Sequence, residues 1–229
     1  MYIPELYKNE NQEEITKFLQ ENSFGILVNN TNGKLWATHI PLELEQNESG
    51  KSILFGHISK ENPQWESFAS DANVLAIFSG PHSYISSSWY EKENVPTWNY
   101  IAVHVYGKIR ILEGDAVIAS LKNLTDKYEA QSENPVRIEE LSEKTMRQVA
   151  GIVAFEIEIE SIEAVKKMSQ NRNEKDFANI ISELEKIENA NSKEVAATMK
   201  KCPFRLSNSK SIFNFQIRGQ QNDIILLSY

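Results

Sequence analysis

The sequence predicts a mainly β protein with flanking helices, folded as a small antiparallel barrel. Three features carry this expectation. Six segments are dense in β-branched and aromatic residues, an Asn- and Gly-rich hairpin signal joins the first two, and only a few stretches repeat apolar residues at helical spacing. Closing such a sheet on itself removes its exposed edges, which favours a barrel.

From Asn11 the order N-Q-E-E supplies an N-cap and acidic first-turn residues, and Ile15, Phe18 and Leu19 then mark one face of a short helix. Five strand candidates follow, at residues 24–30, 35–44, 52–58, 73–80 and 98–112. The NNTNGK cluster between the first two accepts positive φ, so these neighbours should pair as an antiparallel hairpin. Val117, Leu121, Leu124 and Tyr128 recur at three and four residues and predict a helix. Next, Val153, Phe155, Ile157 and Ile159 alternate with mostly acidic residues and predict a sixth strand with one wet face. Phe177, Ile180, Ile181, Leu184 and Ile187 form a last helical stripe, with Asp176 placed to cap or favour its N-terminus. Residues 1–199 are expected to form a single domain. Residues 200–229, with Arg205, Lys210 and Arg218 against Asp223 alone and an apolar end, form an atypical tail.

Composition narrows the function. With 41% hydrophobic and 10% aromatic residues, the chain is an ordinary folded protein. A formal charge of −8 and a pI near 5.2 argue against a general affinity for nucleic acid, because counterion release needs Lys and Arg ranged along phosphates. Direct DNA binding would need a local patch. No basic flank precedes an apolar run at the amino terminus and no 18 consecutive residues are apolar, so a cytoplasmic location without a membrane partner is expected. Cys202 is the only cysteine, which excludes an intrachain disulfide or a multi-cysteine zinc site. His39, His57, His82 and His104 match no HExxH or HxH spacing, so a metal site would need tertiary convergence. No GxSxG, Walker or GxGxxG loop follows a strand, and Ser or Cys nucleophile chemistry has no support.

Four strings carry candidate binding chemistry, each with an ordinary structural use beside it. WATHIPLEL (36–44) puts Thr38 and Ile40 on one side of a strand and His39 on the other. Its Pro41 implies a break in the ladder, where a ligand meets the backbone or an edge strand ends. GHISKENPQW (56–65) brings His57, Ser59 and Lys60 to a strand end. A cation, a hydroxyl and newly unpaired amides there suit a phosphate monoester, and equally a solvated turn. GPHSYISSSWY and VPTWNY crowd aromatics near hydroxyls, as the wall of a planar heterocycle or as core and loop anchor. KKMSQNR (166–172) is too polar for core; its amides and the Arg172 fork suit a flavin edge, a phosphate or the approach to a helix.

Together and in this order, WATHIPLEL, GHISKENPQW, GPHSYISSSWY, VPTWNYIAVHVYGKIR and SQNR resemble the PaiB family of FMN-binding negative transcriptional regulators, over roughly residues 1–190. The resemblance implies a split barrel like that of pyridoxamine phosphate oxidases and a homodimer with FMN at the subunit interface. It also implies a role linked to repression of sporulation and protease synthesis. Residue by residue, it implies His57, Ser59 and Lys60 at the FMN phosphate and Thr38, His39 and Ile40 beside the isoalloxazine, partly through backbone groups. Gln170, Asn171 and Arg172 would reach the site from near the dimer interface. Lys166 stands where family members tend to carry a Trp, and the residues after Met199 depart from the family's charged helical ending. Three roles fit this chain: a flavin-binding regulator in which FMN or its redox state alters the surface offered to a DNA or protein partner, with the acidic charge disfavouring direct DNA binding; a flavin-dependent oxidoreductase or haem-handling enzyme whose redox chemistry the cofactor supplies; and a dimeric interaction module without cofactor.

Overall fold

A computed structural model describes residues 1–47 and 49–202. All but the first three residues of the expected atypical tail lie outside the described residues. In chain order the elements are α1 (Gln12–Glu21), β1 (Phe24–Thr31), β2 (Lys34–Pro41), β3 (Glu43–Gln46), β4 (Ser52–Ser59), β5 (Asn73–Ile85), β6 (Thr97–Ile111), α2 (Asp115–Glu129), the short α3 (Glu143–Met146), β7 (Ile152–Lys167), α4 (Glu174–Lys186) and α5 (Ala190–Lys201).

Local chemistry accounts for the boundaries. Asn11 caps α1, its side-chain oxygen accepting the backbone N–H groups of Glu13 and Glu14 at 3.1 Å each, and Ile15 and Leu19 bury the inner face. The hairpin expected at NNTNGK turns on Asn32 (φ 53°) and Gly33 (φ 79°), with Thr31 paired to Lys34. Asn173, not Asp176, caps α4; Asp176 lies in the first turn, where its carboxylate favours the helix N-terminus and accepts the Glu91 N–H.

Seven strands form one sheet in the order β2-β1-β5-β6-β7-β4-β3, and the β1–β2, β1–β5, β3–β4 and β4–β7 registers are antiparallel. The two edges of that order, β2 and β3, are consecutive in the chain and separated only by the buried Leu42. An open sheet cannot have covalently adjacent edges, so the sheet must curl around. The break falls where Pro41 was expected to interrupt the ladder, and the single strand anticipated over 35–44 is therefore two. Leu42 donates its N–H to Ser23 O instead of continuing the strand. A Cβ on Gly56 of β4 would lie 2.9 Å from Pro41 O, so β2 and β4 approach closely at this corner.

The chain divides into two compact units, each with its own core. The first comprises residues 1, 9–80 and 102–164; Leu27, Leu42, Leu54, Phe78, Val105, Phe155 and Ile157 fill it. The second comprises residues 2–8, 81–101 and, among the described residues, 165–202; Ile85, Met168, Ile180, Leu184, Val195 and Met199 are buried there. Helix α5 was not anticipated, because its inward face, Val195, Ala196 and Met199, is short and partly made of a small residue. Met168 and Ser169 are also buried, so KKMSQNR is not wholly outside the core as its polarity suggested.

Candidate functional site

The first group of expected site residues lies in the first unit, on β2, β4 and the turn after β4. Thr38 is half-buried and its hydroxyl is at the centre of a polar network: it donates to Gln64 Oε1 at 2.5 Å and accepts from Asn62 Nδ2 at 2.9 Å. Gln64, fully buried, donates to Leu27 O at 3.1 Å and to Asn29 Oδ1 at 2.9 Å, while Asn29 donates to Ser67 Oγ at 2.8 Å. A fully satisfied buried network of this kind fixes geometry. It holds β1, β2 and the 59–67 segment in one register. His39 is exposed beside Phe24, ring centroids 6.5 Å apart, and the Ile40 side chain belongs to the core. In the sheet order β2 is an edge, so one side of its backbone carries donors and acceptors without a ladder partner among the described residues.

At the end of β4, His57 is half-buried, and burial holds its imidazole below the usual histidine range, so it is neutral at pH 7. Ser59 and Lys60 are exposed. The amides of this turn are not free, contrary to the sequence reading: Lys60 N–H donates to Gly151 O at 2.8 Å, Glu61 N–H to Ser59 Oγ at 3.3 Å and Asn62 N–H to Ser59 O at 3.0 Å. What the turn offers an anion is the Lys60 ammonium, the Ser59 hydroxyl and the His57 ring. Lys60 and Trp65 also line an open groove of about 470 Å³ whose other walls include Leu112, Val117, Ile118 and Val153. That is a volume compatible with a small-molecule site.

The second group lies in the second unit, in the turn between β7 and α4. Ser169 has φ 58°, a left-handed conformation unusual for a non-Gly residue, and its hydroxyl donates to the buried Asn99 at 3.0 Å. Gln170 spends its amide locally, on Met168 N–H at 2.6 Å and on Lys166 O. Asn171 is exposed, and the Arg172 guanidinium lies over the Tyr90 ring, 4.4 Å from its centroid. Nearby, the aromatic string expected to wall a heterocycle brings Tyr84 edge-on to Trp98 at 6.0 Å and His82 to Trp98 at 6.2 Å; Trp98 is about half exposed. Sequence reasoning missed the Asn29–Gln64 network and Lys167. Gln64 and Asn62 were inside a quoted string, yet nothing in spacing marks an amide as buried.

A family model described as "Putative FMN-binding domain" matches residues 1–161. The Bacillus subtilis protein named protease synthase and sporulation protein PAI 2 is 48% identical over 200 residues, covering 87% of this chain and 96% of that protein. The chain belongs to this family. Two solved structures share its fold. The flavocytochrome Anf3 of Azotobacter vinelandii superposes with a TM-score of 0.58 at 15% identity, covering 77% of this chain and 78% of its own. The FAD and heme binding protein of Mycobacterium smegmatis gives 0.55 at 17% identity, covering 70% and 73%. The fold is thus the antiparallel split barrel with flanking helices that the sequence predicts, and FMN is the cofactor that the family's description names. Among the described residues no helix is long and apolar enough to cross a membrane, and no cluster of His, Cys, Asp or Glu is arranged to hold a metal ion.

Proposed function

We propose that this protein is an FMN-binding regulator of the PaiB type that works as a cytoplasmic homodimer. The observation that carries the reading is the 48% identity to PAI 2 over 96% of that protein, together with the family match over residues 1–161. Bound FMN would bring the electron-transfer chemistry. The chain's own part is to hold it: the β2 edge at Thr38, His39 and Ile40 for the ring, His57, Ser59 and Lys60 for the phosphate, and, as the family resemblance implies, Gln170, Asn171 and Arg172 from near the dimer interface. The locked Thr38 hydroxyl keeps one lone pair as a preset acceptor and the neutral His57 ring carries one donor and one acceptor, which reduces the ordering cost of binding.

A dimer has support in the outer face of the first unit. Antiparallel strands with one wet face alternate apolar and polar, yet the outward positions of β1, β2 and β5 are largely apolar: Phe24, Ile26, Val28, Leu35, Ala37 and Ile77. Leu35 is 76% and Phe24 66% exposed. A contiguous apolar face of this kind marks an association surface. The charge of −8 favours regulation through a protein or redox response over direct DNA contact. Fluorescence titration with FMN on a sizing-calibrated sample tests the reading. Saturation at one FMN per subunit of a dimer supports it, and absence of binding removes the cofactor role. Rapid NAD(P)H-dependent bleaching of bound FMN would move the assignment to a flavin-dependent oxidoreductase.

A further inference from the structure

We infer that Lys167 and Arg172 form an oxyanion-binding site in the second unit, suited to a phosphate group. Lys167, the last residue of β7, donates to Thr97 Oγ1 at 2.7 Å, and its ammonium lies 5.5 Å from the centroid of the Tyr7 ring. Arg172 stacks on Tyr90, and among the described residues its Nε is buried with no hydrogen-bond partner. Tyr90 is only 8% exposed, and its buried hydroxyl is engaged only by the Arg172 guanidinium. A buried guanidinium donor without an acceptor marks a place where an acceptor belongs, because leaving such a group unmade is costly.

The charges agree. Among the described residues neither Lys167 nor Arg172 has a carboxylate within ion-pair distance. The nearby acid, Asp176, has both oxygens engaged, one with Glu91 N–H at 2.9 Å and one with Asn173 Nδ2 at 2.8 Å. Burial first, and the Arg172 charge second, push the Lys167 ammonium below its usual range. Arg172 also opposes the rise that burial imposes on the phenols of Tyr7 and Tyr90, with Tyr100 close by. Two cations without an ion-pair partner among the described residues, with several phenol donors beside them, match a dianionic phosphate better than a single carboxylate, and Arg is suited to such a group by its fork. The turn at 59–62, by contrast, has already committed its amides.

The phosphate group can belong to the flavin or to a second phosphorylated ligand. The inference rests on these side chains and not on the flavin reading. The test is thermal unfolding of the full chain while inorganic phosphate replaces chloride at constant ionic strength. Wild type should show a saturable rise in Tm, with apparent affinity lowered about tenfold or more in Lys167→Met and in Arg172→Gln. Circular dichroism identifies a variant that fails to fold, in which case the other carries the comparison; ³¹P line broadening on wild type reads binding with no variant at all. No phosphate-specific rise and no broadening, or an equal rise in wild type and folded variants, overturns the site. Repeating the titration with FMN present separates the sources: competition assigns the site to the flavin phosphate, and persistence assigns it to a second ligand. If FMN fails to bind, the inorganic phosphate result is unaffected.

Discussion

Replacing Gln64 by Leu removes the centre of the network beneath Thr38 while nearly preserving volume. Gln64 is fully buried, and three side-chain hydrogen bonds disappear: to Leu27 O, to Asn29 Oδ1 and from Thr38 Oγ1. Little cavity is created, so the cost falls on stranded polar atoms. Asn29 Oδ1 keeps a long contact of 3.4 Å from Thr31, and the half-buried Thr38 can turn to water. Leu27 O keeps its ladder partner Thr38 across the hairpin. At about 1–3 kcal/mol for each stranded buried group, two partial losses give about 1–3 kcal/mol. For a chain of this size that corresponds to a fall in Tm of about 3–10 °C. Urea and thermal unfolding followed by circular dichroism measure it. A variant within about 0.5 kcal/mol of wild type would refute the claim that this network holds the first unit in register. Gln64→Leu that remains folded should also bind FMN more weakly, because the Thr38 hydroxyl is no longer held.

Other consequences are as direct. Leu35→Glu, a change on the exposed outer face, should leave stability nearly unchanged but shift the protein to monomer on a sizing column; an unaltered elution volume would place the dimer contact elsewhere. Gly107→Ala would set a Cβ 2.3 Å from Glu158 O, forcing β6 from β7 at a loss of about 3 kcal/mol in urea unfolding, and a neutral result would contradict that close approach. Gly33→Ala, at φ +79°, should cost about 1 kcal/mol through backbone strain alone, since nothing surrounds the added methyl; a stabilised hairpin would count against the turn geometry. Burial depresses the imidazoles of His57 and His104, so the unfolded chain takes up these protons first as pH falls. Stability should therefore be flat above the unfolded histidine value of about 6.5 and decline below it as far as the folded values. His57→Gln should flatten part of that decline, and a stability that rises on acidification through this window would contradict the assignment.

The sequence made legible those features that repeat or that only one residue type can build. The NNTNGK turn needs positive φ, the Asn11 cap needs a short acceptor side chain, and Pro41 cannot donate to a ladder; each signal is local, and each appeared in the structure where it was read. The split at Leu42 was half legible. Proline announced a break, yet that the strand resumes on the opposite edge of the sheet depends on closure, which no local pattern records. Helix α5 escaped because Val195, Ala196 and Met199 pack into a ready-made apolar face and need little apolar volume of their own. Asp176 was placed in the right turn, but Asn173, three residues earlier, had the geometry to cap.

The site was legible as strings more than as contacts. Thr38, His57, Ser59 and Lys60 do lie on the strand and turn expected of them, because strand alternation and turn composition are local. Whether the turn's amides were free was not, since Gly151 O, which takes the Lys60 N–H, arrives from far along the chain. Lys167 was passed over as part of a polar stretch. Its significance comes from Thr97, Tyr7 and Arg172, which sequence separation hides.

The central claim, that this family member holds FMN through its own preset residues, is tested most directly by titrating FMN into the purified chain and following flavin fluorescence to saturation. One FMN per subunit is expected, with affinity reduced in Lys60→Ala and in Gln64→Leu. A wild-type protein that is folded and yet leaves flavin fluorescence unchanged throughout the titration would contradict it.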